Sequence, residues 1–376
     1  MLPGPGLAAR PSESPPIAPS VMDTLAVRTA MHAVQFTDHG DTDVIAYREV
    51  DRPEPAPDEV LLDVKAGALN HLDLWTRRGL PGVDLAMPHT PGSDAAGVVA
   101  AVGDDVERFA VGDRVAVWAG VHCGDCEFCR SGEPTMCVEY AIIGEHRPGV
   151  HADYATVPAD NLVRVPEGVD WATAGAAPLV FGTAWRMLIE RGDLSAGESV
   201  LVLGASGGVG HAAVQVADHA GATVFATAST AEKRDAAAAL GAEHTIDYEA
   251  EDFPERVREV TDGRGVDVVV DHVGAATWAD SLASLAKGGR VLTCGATTGP
   301  HPETSIDRIF WNQLSVIGST MAGLGAAERA LGLVWDGTFE VRERARLPMS
   351  ETARGHALLA EREGVGKVVL VPDDER

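Results

Sequence analysis

Four of the five cysteines fall in one short stretch, "CGDCEFCRSGEPTMC", spaced Cys-x2-Cys-x2-Cys-x7-Cys from Cys123 to Cys137. Thiols at that density could form a metal centre, a disulfide staple or a redox pair. Four sulfur donors at Cys123, Cys126, Cys129 and Cys137 suit a closed tetrahedral zinc site, which leaves no coordination position for a substrate. A disulfide framework is disfavoured because nothing in the chain indicates secretion, and thiols in a reducing compartment stay unpaired. A redox CxxC would not need two further cysteines, whereas an iron–sulfur cluster shares the ligand type. Cys294 stands apart in "RVLTCGA" and reads as a buried core thiol.

A second stretch has the chemistry of phosphate binding. "LGASGGVG", Leu203 to Gly210, follows the apolar run "SVLVL" and opens an amphipathic segment. A Gly-rich turn alone is weak evidence, since any strand-to-helix turn uses glycine. Here a second apolar strand follows within about 30 residues, the context of a dinucleotide site. Gly204 would make the tight turn, Gly207 would admit a pyrophosphate close to the backbone, and Gly210 would let helix and strand pack. Ser206, Gly208 and Val209 complete the loop, whose free amides and positive helix end would face the phosphates. The second strand ends "VFATAST", placing Ala228 where an NAD-selective site carries an acid, and no carboxylate follows until Glu232. Ser229 and Thr230, with Lys233 and Arg234 beyond, suit a 2′-phosphate, so NADP(H) is the expected cofactor.

These segments need two kinds of scaffold. Residues 31–165 read as short strands bounded by Gly, Pro and Asp, including "EVLLDVKAGALN", "AAGVVAAVG", "VGDRVAVWAG" and "HADYATVPADNLVRVP". That pattern predicts a barrel-like β-domain, with the cysteine lobe at about residues 120–140. From residue 166 the pattern becomes continuous apolar strands alternating with helices: "SVLVL", "VDVVVDHVG", "GGRVLTCGA" and "LSVIGST", ending near Thr320. Such runs predict a doubly wound parallel sheet covered on both faces. Residues 321–376, with "ETARGHALLAEREGVGKVVLVPD", are expected to return to the first domain as a helix and a strand. Residues 1–30 are rich in Pro, Ser and Ala, and read as a disordered tail. Met31 opens the first strand-like pattern, so part of that tail also reads as sequence upstream of the natural start.

Taken together, "AGALNHLDLWTRRG", "PHTPGSDAAGVVAAVG", "VGDRVAV", the cysteine cluster, "GTAW", "VLGASGGVG", "VVVDHVG", "LAKGGRVLTCGATTG" and "LSVIGST" carry a resemblance. Over residues 31–376 the chain resembles the medium-chain dehydrogenase/reductase superfamily. The resemblance implies an α/β fold with an N-terminal GroES-like β-barrel domain and a Rossmann doubly wound parallel-sheet domain. The active cleft would lie between them, with hydride transfer from a nicotinamide cofactor. It also implies a homodimer or homotetramer, and it points to one structural zinc per chain at the cysteines.

The departures from that pattern bear on mechanism. Zinc alcohol dehydrogenases of the superfamily hold a catalytic zinc with a Cys in the first motif, a His in a Gly-His-Glu motif and a later Cys. Here the first position is Asn70, the second motif reads Gly92-Ser93-Asp94, and Phe181 stands near the third. Three protein donors and an open position are needed for catalytic zinc. A rearranged set of His71, His89 and Asp94 is disfavoured, because the His of "PHTPG" reads more simply as a loop residue. The pattern is similar to the quinone oxidoreductase branch, which works without metal. By that resemblance Asn70 and Thr183 lie near the nicotinamide, Asn70 as an amide donor and Thr183 as a positioning or hydroxyl donor. Asp73 is the nearest acid, with helix capping as its competing role, and Trp75 reads as packing.

The expected activity is an NADPH-dependent reduction of a quinone, enone or related carbonyl. A zinc-dependent alcohol dehydrogenase and a non-catalytic NADPH-binding protein are the alternatives. No nucleophile–base–orienter set supports hydrolysis. The net charge of −26, with four lysines against 26 arginines, excludes a nucleic-acid binder. It fits either a high-GC genome or a protein kept hydrated in a salt-rich cytosol. No run of about 18 apolar residues predicts a membrane span, and a cytoplasmic location is expected.

Overall fold

The computed structural model describes residues 30–373; the expected tail before Ala30 lies outside them. The strand Glu59–Ala68 is the hub of the first lobe. It pairs antiparallel with Asp94–Val102, with Tyr154–Pro158 and with the C-terminal strand Lys367–Val371. Period-two geometry sends Val60, Leu62 and Val64 to one face, where they join Val99, Val115, Val157 and Leu162 in a buried cluster. The seven-stranded sheet is completed by Arg114–Val117, Leu162–Arg164 and Glu343–Pro348, the last running parallel to Lys367–Val371. Ala30–Phe36 and Ile45–Asp51 form a separate antiparallel hairpin.

The second lobe is a six-stranded sheet. Its order is His244–Asp247, Thr223–Ala228, Ser199–Val202, Val266–Val270, Leu285–Thr293, Ser315–Gly318. Every neighbouring pair is parallel, which is the doubly wound dinucleotide-binding order. Val200 and Val202 pack with Ala212, Ala213 and Val216 of the helix Gly208–His219. Leu201 and Leu203 face the other way, onto Phe253 and Val257. Continuous apolar strands thus bury both faces, as their composition requires.

The lobes are joined more intimately than two beads on a string. Helix Trp171–Ala176 packs Ala172 and Ala176 against Ala66, Ala68 and Val369 of the first sheet. Helix Leu324–Trp335 places Ala330, Leu331 and Val334 in the parallel-sheet core and Ala326 and Ala327 in the barrel core. Beyond it, the chain re-enters the first lobe through Glu343–Pro348 and Lys367–Val371. No helix among the described residues is long and apolar enough to cross a membrane.

Candidate active site and zinc lobe

The glycine loop leaves the end of strand Ser199–Val202, the point at which sheet order reverses. Gly204 has φ +60°, a left-handed value that favours glycine. A Cβ on Gly210 would lie 2.1 Å from the Gly204 carbonyl oxygen, so the helix can start this close to the strand only with glycine there. At Gly207, the N-cap of helix Gly208–His219, a Cβ would meet only the Gly204 carbonyl oxygen, at an ordinary contact distance of 3.4 Å. This uncrowded side is where a dinucleotide pyrophosphate would approach the free amides of the helix start. The Thr227 hydroxyl accepts from the Gly204 amide at 3.2 Å and holds the loop to the next strand.

A cavity of about 640 Å³ runs along this loop between the lobes. Of the residues singled out from sequence, Asn70, Thr183, Gly204, Ser206, Gly207, Gly208, Val209 and Lys233 line it. Gly210, Ser229 and Asp73 stand behind the wall. Ala228 lines the cavity at the end of its strand, with no carboxylate in its place. Lys233 Nζ donates to Ser229 Oγ at 3.2 Å and to the Arg362 carbonyl at 2.8 Å. Arg234 is drawn away to Asp247, at 2.7 Å. Tyr248, Arg344 and Arg362 also line the cavity, and none was singled out by motif.

The opposite wall is polar and buried. Asn70 begins helix His71–Arg78, and the Asp73 carboxylate accepts its backbone N–H at 2.7 Å, one half of a capping box. Asp73 is 1% exposed, and burial pushes its carboxyl up to about 7. Asn70 is not a free amide donor of the kind expected: its Nδ2 donates to Asp94 Oδ2 at 2.9 Å, and its Oδ1 accepts from Lys367 Nζ at 2.5 Å. Lys367 Nζ also reaches Asp94 Oδ2 at 3.0 Å, and Asp94 Oδ1 accepts the Leu179 amide at 2.9 Å. Thr183 Oγ1 is buried with no protein partner and faces this cavity. His71 lines the same wall, while His272 sits against the glycine loop, its ring 3.4 Å from where a Cβ on Gly204 would lie. Burial, with the His272, Arg362, Arg344 and Lys367 charges, brings His71 down to about 4, so it is neutral at pH 7.

The positions where zinc ligands were sought are otherwise employed. Ser93 is buried and donates to the Ile143 carbonyl at 2.7 Å. Phe181 does not border the cavity; it is buried against His211 and Phe339 in the parallel-sheet core. Leu179 and Val180 border the cavity instead. His89 is tied to the Gly144 carbonyl at 3.1 Å, which removes it from any ligand set with His71 and Asp94. Trp75, expected to pack, is a cavity-lining ring beside His71. Cys294 borders the cavity, and burial raises its thiol to about 12.

The four clustered thiols lie apart from that cavity. The Sγ atoms of Cys123, Cys126, Cys129 and Cys137 all lie within 4.8 Å of one another. Cys126 and Cys129 are 3.5 Å apart, as are Cys123 and Cys137. A tetrahedron of zinc–sulfur bonds of about 2.3 Å has edges of about 3.8 Å, so the donors fit the ion. Backbone amides of Cys123 and Glu139 donate to Cys137 Sγ, both at 3.3 Å, and would steady its thiolate.

Two family models match the chain: an alcohol dehydrogenase GroES-like domain over residues 56–167 and a zinc-binding dehydrogenase over residues 208–336. A quinone oxidoreductase of Pseudomonas aeruginosa is 33% identical over 353 residues, covering 90% of this chain and 99% of that protein. The chain belongs to the medium-chain dehydrogenase/reductase family. A crotonyl-CoA carboxylase/reductase of Cereibacter sphaeroides is 32% identical, covering 86% of this chain and 83% of that one. A solved NAD-dependent alcohol dehydrogenase is 42% identical with a TM-score of 0.88, covering 91% of this chain and 99% of the other. This medium-chain dehydrogenase/reductase is therefore an NAD(P)-dependent oxidoreductase with a GroES-like and a Rossmann domain.

Reasoning from sequence missed Lys367 and weighed Asp94 only as a metal ligand. A signal for Lys367 was present: one of only four lysines, it opens the apolar run "KVVLV".

Proposed function

We propose that this enzyme reduces conjugated carbonyls, meaning enones, quinones and enoyl thioesters, with NADPH and without a catalytic metal. The observation that carries the reading is the cavity wall opposite the glycine loop. Asn70 occupies the first expected ligand position and is hydrogen-bonded to side chains, while Ser93 and Phe181 are turned to other partners. The printed names of the quinone oxidoreductase and crotonyl-CoA reductase relatives favour the same acceptor class.

When bound, the reduced nicotinamide supplies a hydride. The chain's own residues then do three things. The Gly204–Gly210 loop cradles the pyrophosphate. Lys233, held from behind by Ser229, meets the 2′-phosphate with the exposed edge of Tyr248, and Ala228 leaves room for it. The unpartnered Thr183 hydroxyl hydrogen-bonds the nicotinamide or the acceptor oxygen across the cleft. Zinc held by Cys123, Cys126, Cys129 and Cys137 would clip the lobe and supply no chemistry, because all four positions are filled by protein. Asp73 serves as a helix cap. A second copy would cover Ile306, Phe310, Trp311 and Val316, large apolar residues exposed beside the outer strand Ser315–Gly318. We also place the enzyme in the cytoplasm.

The test is NADPH and NADH oxidation against 2-cyclohexenone, benzoquinones and crotonyl-CoA, in dilute buffer and at molar salt, beside NADP+ reduction with simple alcohols. Turnover of conjugated acceptors with a larger kcat/KM for NADPH is expected. Oxidation of alcohols only would restore the dehydrogenase reading, and a larger kcat/KM for NADH would match the solved NAD-dependent relative instead.

A further inference from the structure

The geometry points to Lys367 as the electrophile of the cleft, an ammonium that takes the negative charge arising on the acceptor oxygen. This deepens the reductase reading and rests on it.

Sheet register builds the arrangement. Ala68 pairs antiparallel with Val369 on one side and with Asp94 on the other. Two residues past Ala68 is Asn70, and two before Val369 is Lys367, so antiparallel pairing brings residues 70 and 367 face to face with Asp94 alongside. The Lys367 stem crosses toward the glycine loop: a Cβ on Gly208 would lie 3.3 Å from Lys367 Cδ. The ammonium therefore sits between the cofactor loop and the wall where a catalytic metal was sought.

It is also buried. Lys367 is 2% exposed, Asp94 0% and Asn70 7%. A buried ion pair costs desolvation that an apolar pair of the same volume would avoid, so it is weak evidence of a stabilising role. A functional charge is the better explanation. Asp94 Oδ2 and Asn70 Oδ1 accept two of the three ammonium N–H bonds, and the third remains for a ligand. Asp94 is itself held by the Leu179 amide and by Asn70 Nδ2, so the ammonium is aimed before any acceptor arrives.

The step balances with NADPH as the reductant already named. The acceptor's β-carbon gains a C–H bond from the transferred hydride, the C=C pair moves toward the carbonyl, and the carbonyl π pair settles on oxygen as an enolate. The Lys367 N–H hydrogen-bonds that oxygen. The α-carbon then takes a proton from water, the carbonyl reforms, and the ammonium keeps its three protons. A quinone takes up the hydride and one net proton from water: a ring carbon that receives the hydride gives up a proton as the ring becomes aromatic, and each oxygen of the hydroquinone ends with one proton.

The experiment uses the full chain with K367M and K367R. Because K367M strands a buried carboxylate, K367M/D94N is made beside it. NADPH affinity is read by nicotinamide fluorescence, and kcat with 2-cyclohexenone. The absorbance of 4-nitrophenol bound to the NADP+ complex reads stabilisation of an oxyanion without turnover. Loss of one oxyanion donor lowers kcat by about 10²–10³-fold. That fall is expected in K367M and K367M/D94N, with the NADPH Kd within about threefold of wild type and the bound nitrophenolate signal lost. K367R is expected to recover most of both. If the Kd rises tenfold or more while kcat and nitrophenolate binding stay, Lys367 is a phosphate anchor and the inference is overturned. Unchanged kcat in K367M overturns it too. If the wild type turns over no conjugated acceptor, the reductase reading fails separately, and the nitrophenolate signal alone decides whether Lys367 stabilises an oxyanion.

Discussion

Two regions of this molecule compete for the word zinc. The lobe at Cys123–Cys137 offers four sulfur donors within 4.8 Å of one another, on loops and short turns outside the cofactor cavity. The cleft at Asn70 has the position expected of catalytic zinc but holds a Lys367–Asp94 ion pair instead. The difference teaches that a metal-binding sequence and a metal-using mechanism are separate properties. On the reading proposed, a closed thiolate site holds a lobe together while the Lys367 ammonium supplies positive charge in the cleft.

The comparison breaks most sharply if the lobe is altered. C126S should lose its zinc altogether by metal analysis, and its Tm should drop by about 5 °C or more. The fraction that remains folded should keep kcat within about threefold; loss of the chemical step in that fraction would make the lobe catalytic. In the cleft, N70A removes one holder of Lys367 and Asp94. It should cut kcat by about 10–100-fold with the NADPH Kd nearly unchanged, measured by steady-state kinetics and fluorescence titration.

The cofactor end sharpens the contrast further. K233A should lower kcat/KM for NADPH by about tenfold, equal to about 1.4 kcal/mol, and leave NADH almost unaffected. An equal loss with both cofactors would remove Lys233 from the 2′-phosphate.

The last effect bears on stability, not on turnover, and concerns Asp73, whose raised carboxyl sets the sign. Its pKa is about 7 in the folded protein, against about 3.9 in an unfolded chain. Below about pH 4 both states are protonated and the group's contribution to stability is intact. As pH rises toward 7 the unfolded chain ionises first, so stability is lost. D73N lacks this titration, and Asn can still cap. From pH 4 to 7.5, denaturant unfolding should shift in favour of D73N by about 2–4 kcal/mol relative to wild type. A pH-independent difference would contradict the burial argument.

Much of the frame was legible in the sequence because it depends on local rules. Continuous Val and Leu runs with a Gly-x2-Gly-x2-Gly turn announce the parallel sheet and the phosphate loop, since both are short-range consequences of backbone geometry. The cysteine spacing announced its own cluster. What was less legible is long-range. Lys367 lies 297 residues from Asn70 and meets it only through the register of three strands. Phe181 stood near the cleft in sequence but turns into the core, because helix Pro178–Trp185 offers one face to the cavity and the other to Phe339 and His211. Helix Leu324–Trp335 bridges both cores, a role that residues beyond 320 do not announce by pattern alone.

The most direct measurement is the zinc content per chain of purified enzyme, taken on the same sample that turns over a conjugated acceptor. One equivalent, retained in K367M and absent from C126S, is the expected result. Two equivalents in the active wild type, with activity falling as the second is removed, would contradict the separation of the zinc lobe from the chemistry.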